Sequence, residues 1–157
     1  MEVAAKAIKV GWIGTGVMGK SMAGHLMRNG YKLWVYNRTA SKADELVANG
    51  ATFSEPIEIA KEVDYLFLML GYPHDVEKVV LDEKEGILHH MKEGATLIDH
   101  TTSSPGLAVR IFEAASKRNI FSIDAPVSGG DIGAKNGKLV TMVGGDKEVV
   151  DRSLEIL

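Results

Sequence analysis

The chain has 157 residues, of which 45% are hydrophobic and 25% charged, and its formal net charge is −3. This length fits one domain with a buried core. Cysteine is absent, which excludes disulfide scaffolds and cysteine-based zinc sites. The charge disfavours nucleic-acid and membrane-surface partners, because both need clustered basic residues. We find no bilayer-spanning apolar run and no targeting segment. The absence of cysteine suits a reducing compartment, and we expect a protein of the cytoplasm or the mitochondrial matrix.

Short apolar runs alternate with amphipathic segments along the whole chain. Each run is rich in β-branched or aromatic side chains, a composition that favours strands. The predicted strands are Ile8–Ile13, Lys32–Tyr36, Tyr65–Leu70, Ala95–Ile98, Ile120–Ile123 and Leu139–Val143. The nearly continuous apolar character of Tyr65–Leu70 is typical of a parallel sheet that is covered on both faces.

The segments between these runs carry helix signals. Helices are predicted over Met18–Asn29, from a capping box at Ser41 to Asn49, from Pro56, Pro73 and Pro105 onward, and over Asp146–Leu157. Regular alternation of strands and helices indicates an α/β fold, with a doubly wound, mostly parallel sheet and helices on both faces. We expect one domain over residues 1–157.

A glycine-rich string directly follows the first predicted strand and opens the first predicted helix. It reads Gly14-Thr15-Gly16-Val17-Met18-Gly19, a G-x-G-x-x-G in the strand–helix–strand context of dinucleotide-binding domains. The first glycine permits a tight turn, the second lets the backbone approach a pyrophosphate, and the third lets helix and strand pack closely. The helix start offers N–H groups to the phosphates. These six residues are therefore predicted to bind the cofactor of a Rossmann-type domain, although a plain connecting turn is the alternative.

The end of the second predicted strand indicates which dinucleotide binds. An NAD-binding motif carries an acidic residue about 20 positions further on, but no Asp or Glu occurs from Lys20 to Ala43. The strand is followed instead by Asn37, Arg38 and Thr39. Arg38 can pair with a 2′-phosphate, and its neighbours can donate hydrogen bonds to the same group. We predict NADP, with NAD less favoured; an ordinary solvated arginine is the alternative interpretation.

Four ordered blocks resemble the coenzyme domain of the β-hydroxyacid dehydrogenase family, which includes 3-hydroxyisobutyrate dehydrogenase and the glyoxylate/succinic semialdehyde reductases. The blocks are Trp12–Gly19, Asn37–Thr39, Met69–Pro73 together with Asp99–Thr102, and Asp124–Gly130. Two positions depart from the family's usual pattern, because Thr15 and Gly71 stand where leucine and proline are more frequent. The resemblance runs from Ile8 to the last residue and implies a coenzyme domain without the family's all-helical C-terminal domain.

The resemblance also implies roles for residues outside the glycine-rich string. It places Leu70 and Gly71 near the middle of the cofactor, Asp75 at a polar cofactor contact and Thr102 at the nicotinamide end. It assigns the substrate carboxylate to Ser128, Gly129 and Gly130. Consecutive small residues after a strand can present successive N–H groups to an anion, which agrees with this assignment.

The activity implied by the resemblance is hydride transfer between a nicotinamide and the hydroxyl-bearing carbon of a small β-hydroxyacid, or the matching reduction of a semialdehyde. The family's proton-shuttling lysine lies in a Gly-x-x-x-Lys-x-x-Asn segment, which does not occur before Leu157. Lys135 and Lys138 are predicted to lie in a turn and do not match it. We therefore expect a piece of a longer, homo-oligomeric enzyme that binds NADP but does not turn over alone.

Two other functions remain open. A 6-phosphogluconate dehydrogenase shares the glycine-rich turn and Val-Ser-Gly-Gly, although Asp99-His100-Thr101-Thr102 is unlike that enzyme's Gly-Gly-Asn. A non-catalytic dehydrogenase-like binding module would differ only beyond Leu157. The five histidines show no metal-ligand spacing, so no metal site is predicted, and His100 is interpreted as a solvated loop residue.

Overall fold

Six parallel strands form the central sheet, seen in a computed structural model that describes residues 8–102, 104–154 and 156–157. The strands are β1 (Lys9–Ile13), β2 (Lys32–Tyr36), β3 (Thr52–Phe53), β4 (Tyr65–Leu68), β5 (Thr96–Asp99) and β6 (Phe121–Asp124). Their spatial order is β3-β2-β1-β4-β5-β6, the order of a Rossmann fold. The predicted α/β class and doubly wound sheet are therefore confirmed. The two-residue edge strand β3 was not predicted, because it is too short to show a hydrophobic pattern.

Seven α-helices connect or follow these strands in the described part of the chain. They are α1 (Val17–Arg28), α2 (Asp44–Ala48), α3 (Pro56–Glu62), α4 (Pro73–Leu81), α5 (Pro105–Ser116), α6 (Gly130–Lys135) and α7 (Lys147–Ser153). Short 3₁₀ helices lie at Ala40–Ala43 and Ile87–His89. Proline opens α3, α4 and α5 as predicted, because the first helical position needs no N–H donor.

The sheet is covered on both faces by apolar layers. Helices α3, α4 and α5 pack against one face, where Ile59, Val80 and Ile111 are buried. Helices α1, α2 and α7 pack against the other, where Trp12 and Phe67 are buried. No helix in the described ranges is both long enough and apolar enough to cross a membrane.

Three local predictions are wrong. Ser41 does not cap a helix, because Ala40–Ala43 forms a 3₁₀ turn and α2 starts at Asp44 without a side-chain cap. The run Leu139–Val143 does not join the central sheet. Only Val140–Thr141 forms a strand, β8, which pairs antiparallel with β7 (Val127–Ser128) in a separate two-stranded sheet.

The third error concerns the glycine-containing segment between β7 and β8. We interpreted the surroundings of Lys135 as a turn, but Lys135 is the last residue of helix α6. Helix α6 packs against α1, where the carbonyl oxygen of Ala134 lies 2.8 Å from the His25 ring nitrogen. Packing against α1 outweighs the low intrinsic helix propensity of glycine here.

Candidate functional site

The parallel strands bring five connecting loops to one edge of the sheet. The loops that follow β1, β2, β4, β5 and β6 all start at the carboxyl ends of their strands. The chain reverses its winding direction between β1 and β4, which are neighbours in the sheet but not in sequence. Open α/β sheets bind ligands in the crevice outside such a switch point. Every predicted cofactor and substrate residue belongs to these loops or to the helix starts beside them.

The glycine turn after β1 is formed by close contacts that exclude side chains. Gly14 has a φ of +104°, and its amide donates a 2.9 Å hydrogen bond to the Tyr36 carbonyl oxygen. A Cβ on Gly14 would overlap the carbonyl oxygen of Met69, and one on Gly19 would overlap that of Gly14. The first and third glycines thus permit the tight turn and the close approach of α1 to β1.

Gly16 has a different environment from the other two glycines. It is the N-cap of α1, and no heavy atom lies within 4 Å of a Cβ placed on it. No side chain caps the first amides of α1, and no acidic residue occupies its first turn. The helix start is therefore open to a group outside the chain, and both its dipole and its amides suit an anion.

The three other residues of the glycine-rich string differ in exposure. The Val17 side chain is exposed, whereas Thr15 is buried and its hydroxyl has no hydrogen-bond partner among the described residues. Met18 is half-buried at the start of α1. The open space at Gly16 and the uncapped amides are the features that fit a dinucleotide pyrophosphate.

Asn37 connects the loops after β1 and β2. Its side-chain oxygen accepts a 2.9 Å hydrogen bond from the Thr15 amide, and its side-chain nitrogen donates to the Thr39 carbonyl oxygen at 3.0 Å. Arg38 and Thr39 are exposed beside it, and the Arg38 guanidinium has no partner among the described residues. The arrangement leaves a cation at the end of the strand where a 2′-phosphate would be recognised.

The loop after β4 borders the glycine turn. The Met69 amide donates to the Ile13 carbonyl oxygen at 3.0 Å, and Leu70 is half-buried. Gly71 is exposed, and a Cβ on it would lie 3.7 Å from a carboxylate oxygen of Asp75 in the first turn of α4. Leu70, Gly71 and Asp75 therefore lie together between the end of β4 and the first turn of α4.

The end of β5 and the loop after it contain three consecutive buried polar residues. Asp99, His100 and Thr101 are all at most 6% exposed. The Thr101 amide donates to a carboxylate oxygen of Asp99 at 2.9 Å, and the Thr101 hydroxyl accepts from the Leu70 amide at 2.9 Å. Thr102, the residue predicted at the nicotinamide end, is exposed next to this cluster.

The prediction that His100 is solvated is wrong. Its ring is 4% exposed and stacks between Trp12, at 5.8 Å, and Phe67, at 5.5 Å. Its Nδ1 lies 2.7 Å from the Ala125 carbonyl oxygen, so Nδ1 carries the proton, because a carbonyl only accepts. Burial lowers the pKa of His100 and favours the neutral ring.

Two carboxyl groups at this edge have raised pKa values. Burial raises the pKa of Asp99 to about 6, and the nearby Asp124 carboxylate also raises it. Two hydrogen bonds from Thr101 act in the opposite direction and lower the pKa. Burial also raises the pKa of Asp124, which is the register partner of Asp99 on β6. Perturbed carboxyl groups of this kind are frequent at functional sites.

The loop after β6 contains the predicted substrate residues. Ser128 ends β7, and its side chain is exposed. Gly129 and Gly130 follow with φ values of +134° and +61°, and Gly130 is the first residue of α6. The three residues form an exposed backbone corner on the same edge as the glycine turn.

Two further observations concern metal binding and the location of the site. No cluster of three or more potential metal ligands occurs in residues 8–102, 104–154 and 156–157. A separate cavity of about 510 Å³ lies on the α1 face and is lined by Trp12, His25, Phe67 and His100 among others. None of the predicted site residues lines this cavity, so we place the site on the loops rather than there.

Comparison with known proteins identifies the domain. Residues 9–157 match the family described as the NAD binding domain of 6-phosphogluconate dehydrogenase. The chain belongs to this family. The probable 3-hydroxyisobutyrate dehydrogenase-like 1 of Arabidopsis thaliana, named as mitochondrial, is 54% identical to this NAD-binding domain over 145 residues, which are 92% of the chain and 43% of that relative.

Solved structures agree with this assignment. The 3-hydroxyisobutyrate dehydrogenase of Mycobacterium tuberculosis, described with L-serine, matches this NAD-binding domain with a TM-score of 0.89 and 27% identity, over 96% of the chain and 50% of that protein. Psf3, described in complex with NADP+ and 2-OPP, matches with a TM-score of 0.89 and 28% identity, over 94% of the chain and 52% of that protein. The predicted resemblance to β-hydroxyacid dehydrogenases is confirmed, and the chain spans about half the length of these proteins.

The sequence interpretation missed Asp99 and Thr101 as members of the site. A signal was available, because Asp99 ends the fully buried strand β5 and is followed directly by His100 and Thr101. Polar residues at the carboxyl end of a fully buried parallel strand lie at the ligand-binding edge. The hydrogen bond from Leu70 to Thr101 joins residues 31 positions apart and has no local sequence pattern.

Proposed function

We propose that this chain is the NADP(H)-binding domain of a dehydrogenase that acts on small β-hydroxyacids or the corresponding semialdehydes. The observation that carries the proposal is the open space at Gly16, at the uncapped start of α1 and beside the β1/β4 switch point. A glycine that meets no atom of its own chain, at an uncapped helix start, leaves room for the close approach of a pyrophosphate. The cofactor, when bound, supplies the hydride acceptor or donor.

Residues Gly14 to Gly19 bind the pyrophosphate in this proposal. The backbone amides that begin α1 supply hydrogen-bond donors, and Val17 and Met18 pack beside the phosphates. Leu70, Gly71 and Asp75 line the middle of the cofactor. Thr102 contacts the nicotinamide end.

NADP is preferred over NAD because of the end of β2. Arg38 is exposed there without an acidic partner among the described residues, and no acidic residue precedes it in α1 or β2. The Asn37 side chain uses one N–H group to donate to the Thr39 carbonyl oxygen, and its second N–H group is left to donate to a ligand. The exposed hydroxyl of Thr39 is a further donor. A guanidinium with two such neighbours suits a doubly charged phosphate. The NADP+ complex of Psf3 supports the same choice.

The substrate carboxylate binds to Ser128, Gly129 and Gly130 in this proposal. The Ser128 hydroxyl and the amides of the corner supply donors, and the corner lies on the same sheet edge as the glycine turn. The names of the Arabidopsis and Mycobacterium proteins support a small hydroxyacid as substrate. The name of the Arabidopsis protein, which includes the word mitochondrial, supports the mitochondrial matrix as one location of the parent protein, with the cytoplasm as the alternative. A homo-oligomeric parent is proposed from the family resemblance alone.

Turnover requires a lysine that this chain lacks in the expected context. Neither Lys135, at the end of α6, nor Lys138 lies in a Gly-x-x-x-Lys-x-x-Asn segment. Steady-state assays of the 157-residue chain with 3-hydroxyisobutyrate and with succinic semialdehyde should therefore give background rates. Robust turnover would contradict the assignment of the proton shuttle to residues outside this chain.

Titration with NADPH and NADH tests the cofactor proposal. The wild-type chain should bind NADPH more tightly than NADH, as measured by calorimetry or by nicotinamide fluorescence. Arg38→Ala should lower the affinity for NADPH by about 10- to 100-fold, because it removes charge-assisted hydrogen bonds. The affinity for NADH should change by less than about threefold.

Lys61→Ala is the matched control for charge. Lys61 is an exposed residue near the end of α3, at the opposite edge of the sheet, and its removal changes the net charge equally. Tighter binding of NADH than of NADPH by the wild-type chain would overturn the NADP preference. Equal losses in the Arg38 and Lys61 variants would show that only overall charge matters.

A further inference from the structure

A chain of hydrogen bonds connects the loops after β4 and β5. The Leu70 amide donates to the Thr101 hydroxyl oxygen at 2.9 Å, and the Thr101 amide donates to an Asp99 carboxylate oxygen at 2.9 Å. The Thr101 hydroxyl acts on the same carboxylate, because its hydrogen bond lowers the pKa of Asp99. An amide N–H only donates, so the direction of the chain is fixed from Leu70 through Thr101 to Asp99. We call this chain the Asp99–Thr101–Leu70 relay.

Leu70 lies between the relay and the glycine turn. A leucine methyl carbon of Leu70 is 3.1 Å from the position that a Cβ on Gly14 would occupy, and the preceding residue, Met69, bonds to Ile13. Leu70 is therefore held from the β1 side by packing and from the β5 side by Thr101. Loss of the Thr101 hydroxyl would therefore remove one of the contacts that hold the backbone bordering the crevice between β1 and β4.

We propose that Asp99 and Thr101 are positioning residues, which hold the Leu70–Gly71 backbone in the conformation that accepts the cofactor. This inference rests on the proposed function, because the crevice that Leu70 borders is the cofactor site of that proposal. Neither residue contacts the cofactor itself in this scheme. Both are buried, at 6% and 1% exposure, beneath the exposed Gly71 and Thr102.

The relay is strongest with an ionised carboxylate, because hydrogen bonds to a charged acceptor are stronger and a protonated carboxyl group has less acceptor capacity. A carboxylate accepts both Thr101 donors, whereas an asparagine at this position has only one acceptor atom. The charged neighbour of Asp99 is Asp124 on β6, and no basic group contributes to its pKa. His100 faces the opposite side of the sheet, bonded to Ala125, and the buried side chains of α5 at this face are apolar.

The ionisation of Asp99 makes the relay sensitive to pH. Burial and Asp124 raise the pKa of Asp99 to about 6, so the carboxylate gains a proton as the pH falls below that value. Protonation removes the charge that attracts both Thr101 donors and weakens the hold on Leu70. Cofactor affinity should therefore decrease as the pH falls through about 6.

Binding of NADPH by four variants of the chain tests the relay. Thr101→Val removes the hydroxyl with little change in shape and should weaken NADPH binding by about five- to tenfold, the equivalent of one lost hydrogen bond. Thr101→Ser restores the hydroxyl and should recover most of the affinity. Thr96→Val changes another buried threonine, at the other end of β5, and should leave the affinity unchanged. Asp99→Asn should weaken binding at neutral pH and make the step near pH 6 smaller than in the wild type, since only the titration of the NADPH 2′-phosphate remains.

Hydrogen exchange of the Leu70 amide provides a readout that does not depend on the cofactor. In NMR spectra of the free chain, this amide should exchange faster in Thr101→Val than in the wild type, Thr101→Ser or Thr96→Val. Urea unfolding of each variant shows whether it is folded. A folded Thr101→Val chain that binds NADPH like the wild type would overturn the relay.

The outcomes separate the relay from the proposed function. If the wild-type chain binds neither NADPH nor NADH, the proposed function fails and the positioning role fails with it. If the wild type binds NADPH and Asp99→Asn retains the same pH step, only the relay is refuted. The titration of the 2′-phosphate of NADPH is common to all variants and cancels in their comparison.

Discussion

Replacing Asp99 by asparagine should stabilise the domain near neutral pH. Burial raises the pKa of Asp99 from 3.8 to about 6, so between these values the folded chain holds a proton that the unfolded chain has released. The free energy of unfolding contributed by this group is therefore highest below 3.8 and decreases as the pH rises to about 6. At about 1.36 kcal/mol per pH unit, the decrease amounts to about 3 kcal/mol.

Urea unfolding of the wild type and Asp99→Asn across this pH range measures the effect. The amide does not titrate, so the stability of the variant relative to the wild type should increase by up to about 3 kcal/mol between acidic and neutral pH. The loss of one hydrogen bond from Thr101 subtracts about 1 kcal/mol at every pH. The contribution of His100, whose pKa burial lowers, is present in both chains and cancels.

Glu83→Gln is the control for this measurement, because it makes the same chemical change at an exposed site. Its stability relative to the wild type should stay within about 0.5 kcal/mol at every pH. A difference between Asp99→Asn and the wild type that does not vary with pH would refute the reasoning. It would mean that Asp99 is solvated or paired with a cation in the folded chain.

The remaining predictions concern the glycine turn and His100. Gly16→Ala adds a methyl group in open space, so the free energy of unfolding should change by less than about 1 kcal/mol, while the affinity for NADPH should fall at least about tenfold. Gly24→Ala is the control in the same helix and should not affect binding. Equal NADPH affinities of Gly16→Ala and the wild type would contradict the role of Gly16. Gly19→Ala would overlap the Gly14 carbonyl oxygen and should destabilise the domain by about 1–3 kcal/mol or more; urea unfolding equal to that of the wild type would contradict this contact. The His100 ring should titrate below 6.5 in NMR spectra, because burial disfavours its charged form, and a midpoint at or above 6.5 would contradict its burial.

Sequence patterns were sufficient where one element has a strong local signature. Strand β2 has the predicted bounds, Lys32–Tyr36, because its apolar run ends in turn-forming residues on both sides. Helix α1 was predicted within one residue of its bounds, because an apolar stripe and the closing Gly30 agree. The glycine-rich string was sufficient to predict the tight turn after β1, because the close contacts at Gly14 and Gly19 leave no space for a side chain.

Features that depend on distant contacts were not predictable in the same way. His100 is polar and follows a strand, so solvation was the simpler expectation, yet the stack with Trp12 and Phe67 buries it. Helix α6 contains two glycines and forms through packing against α1. The pairing of β8 with β7 rather than with the central sheet is likewise decided by tertiary structure.

Mapping NADPH onto the backbone amides by NMR tests the central claim most directly. On addition of NADPH, the largest shifts should occur at the amides of Gly14–Gly19 and Asn37–Thr39, with smaller ones at Leu70 and Gly71. Amides that line the cavity on the α1 face, such as those of His25 and Leu139, should move little. Largest shifts at that cavity, or no shifts at the glycine turn, would contradict the assignment of the cofactor site.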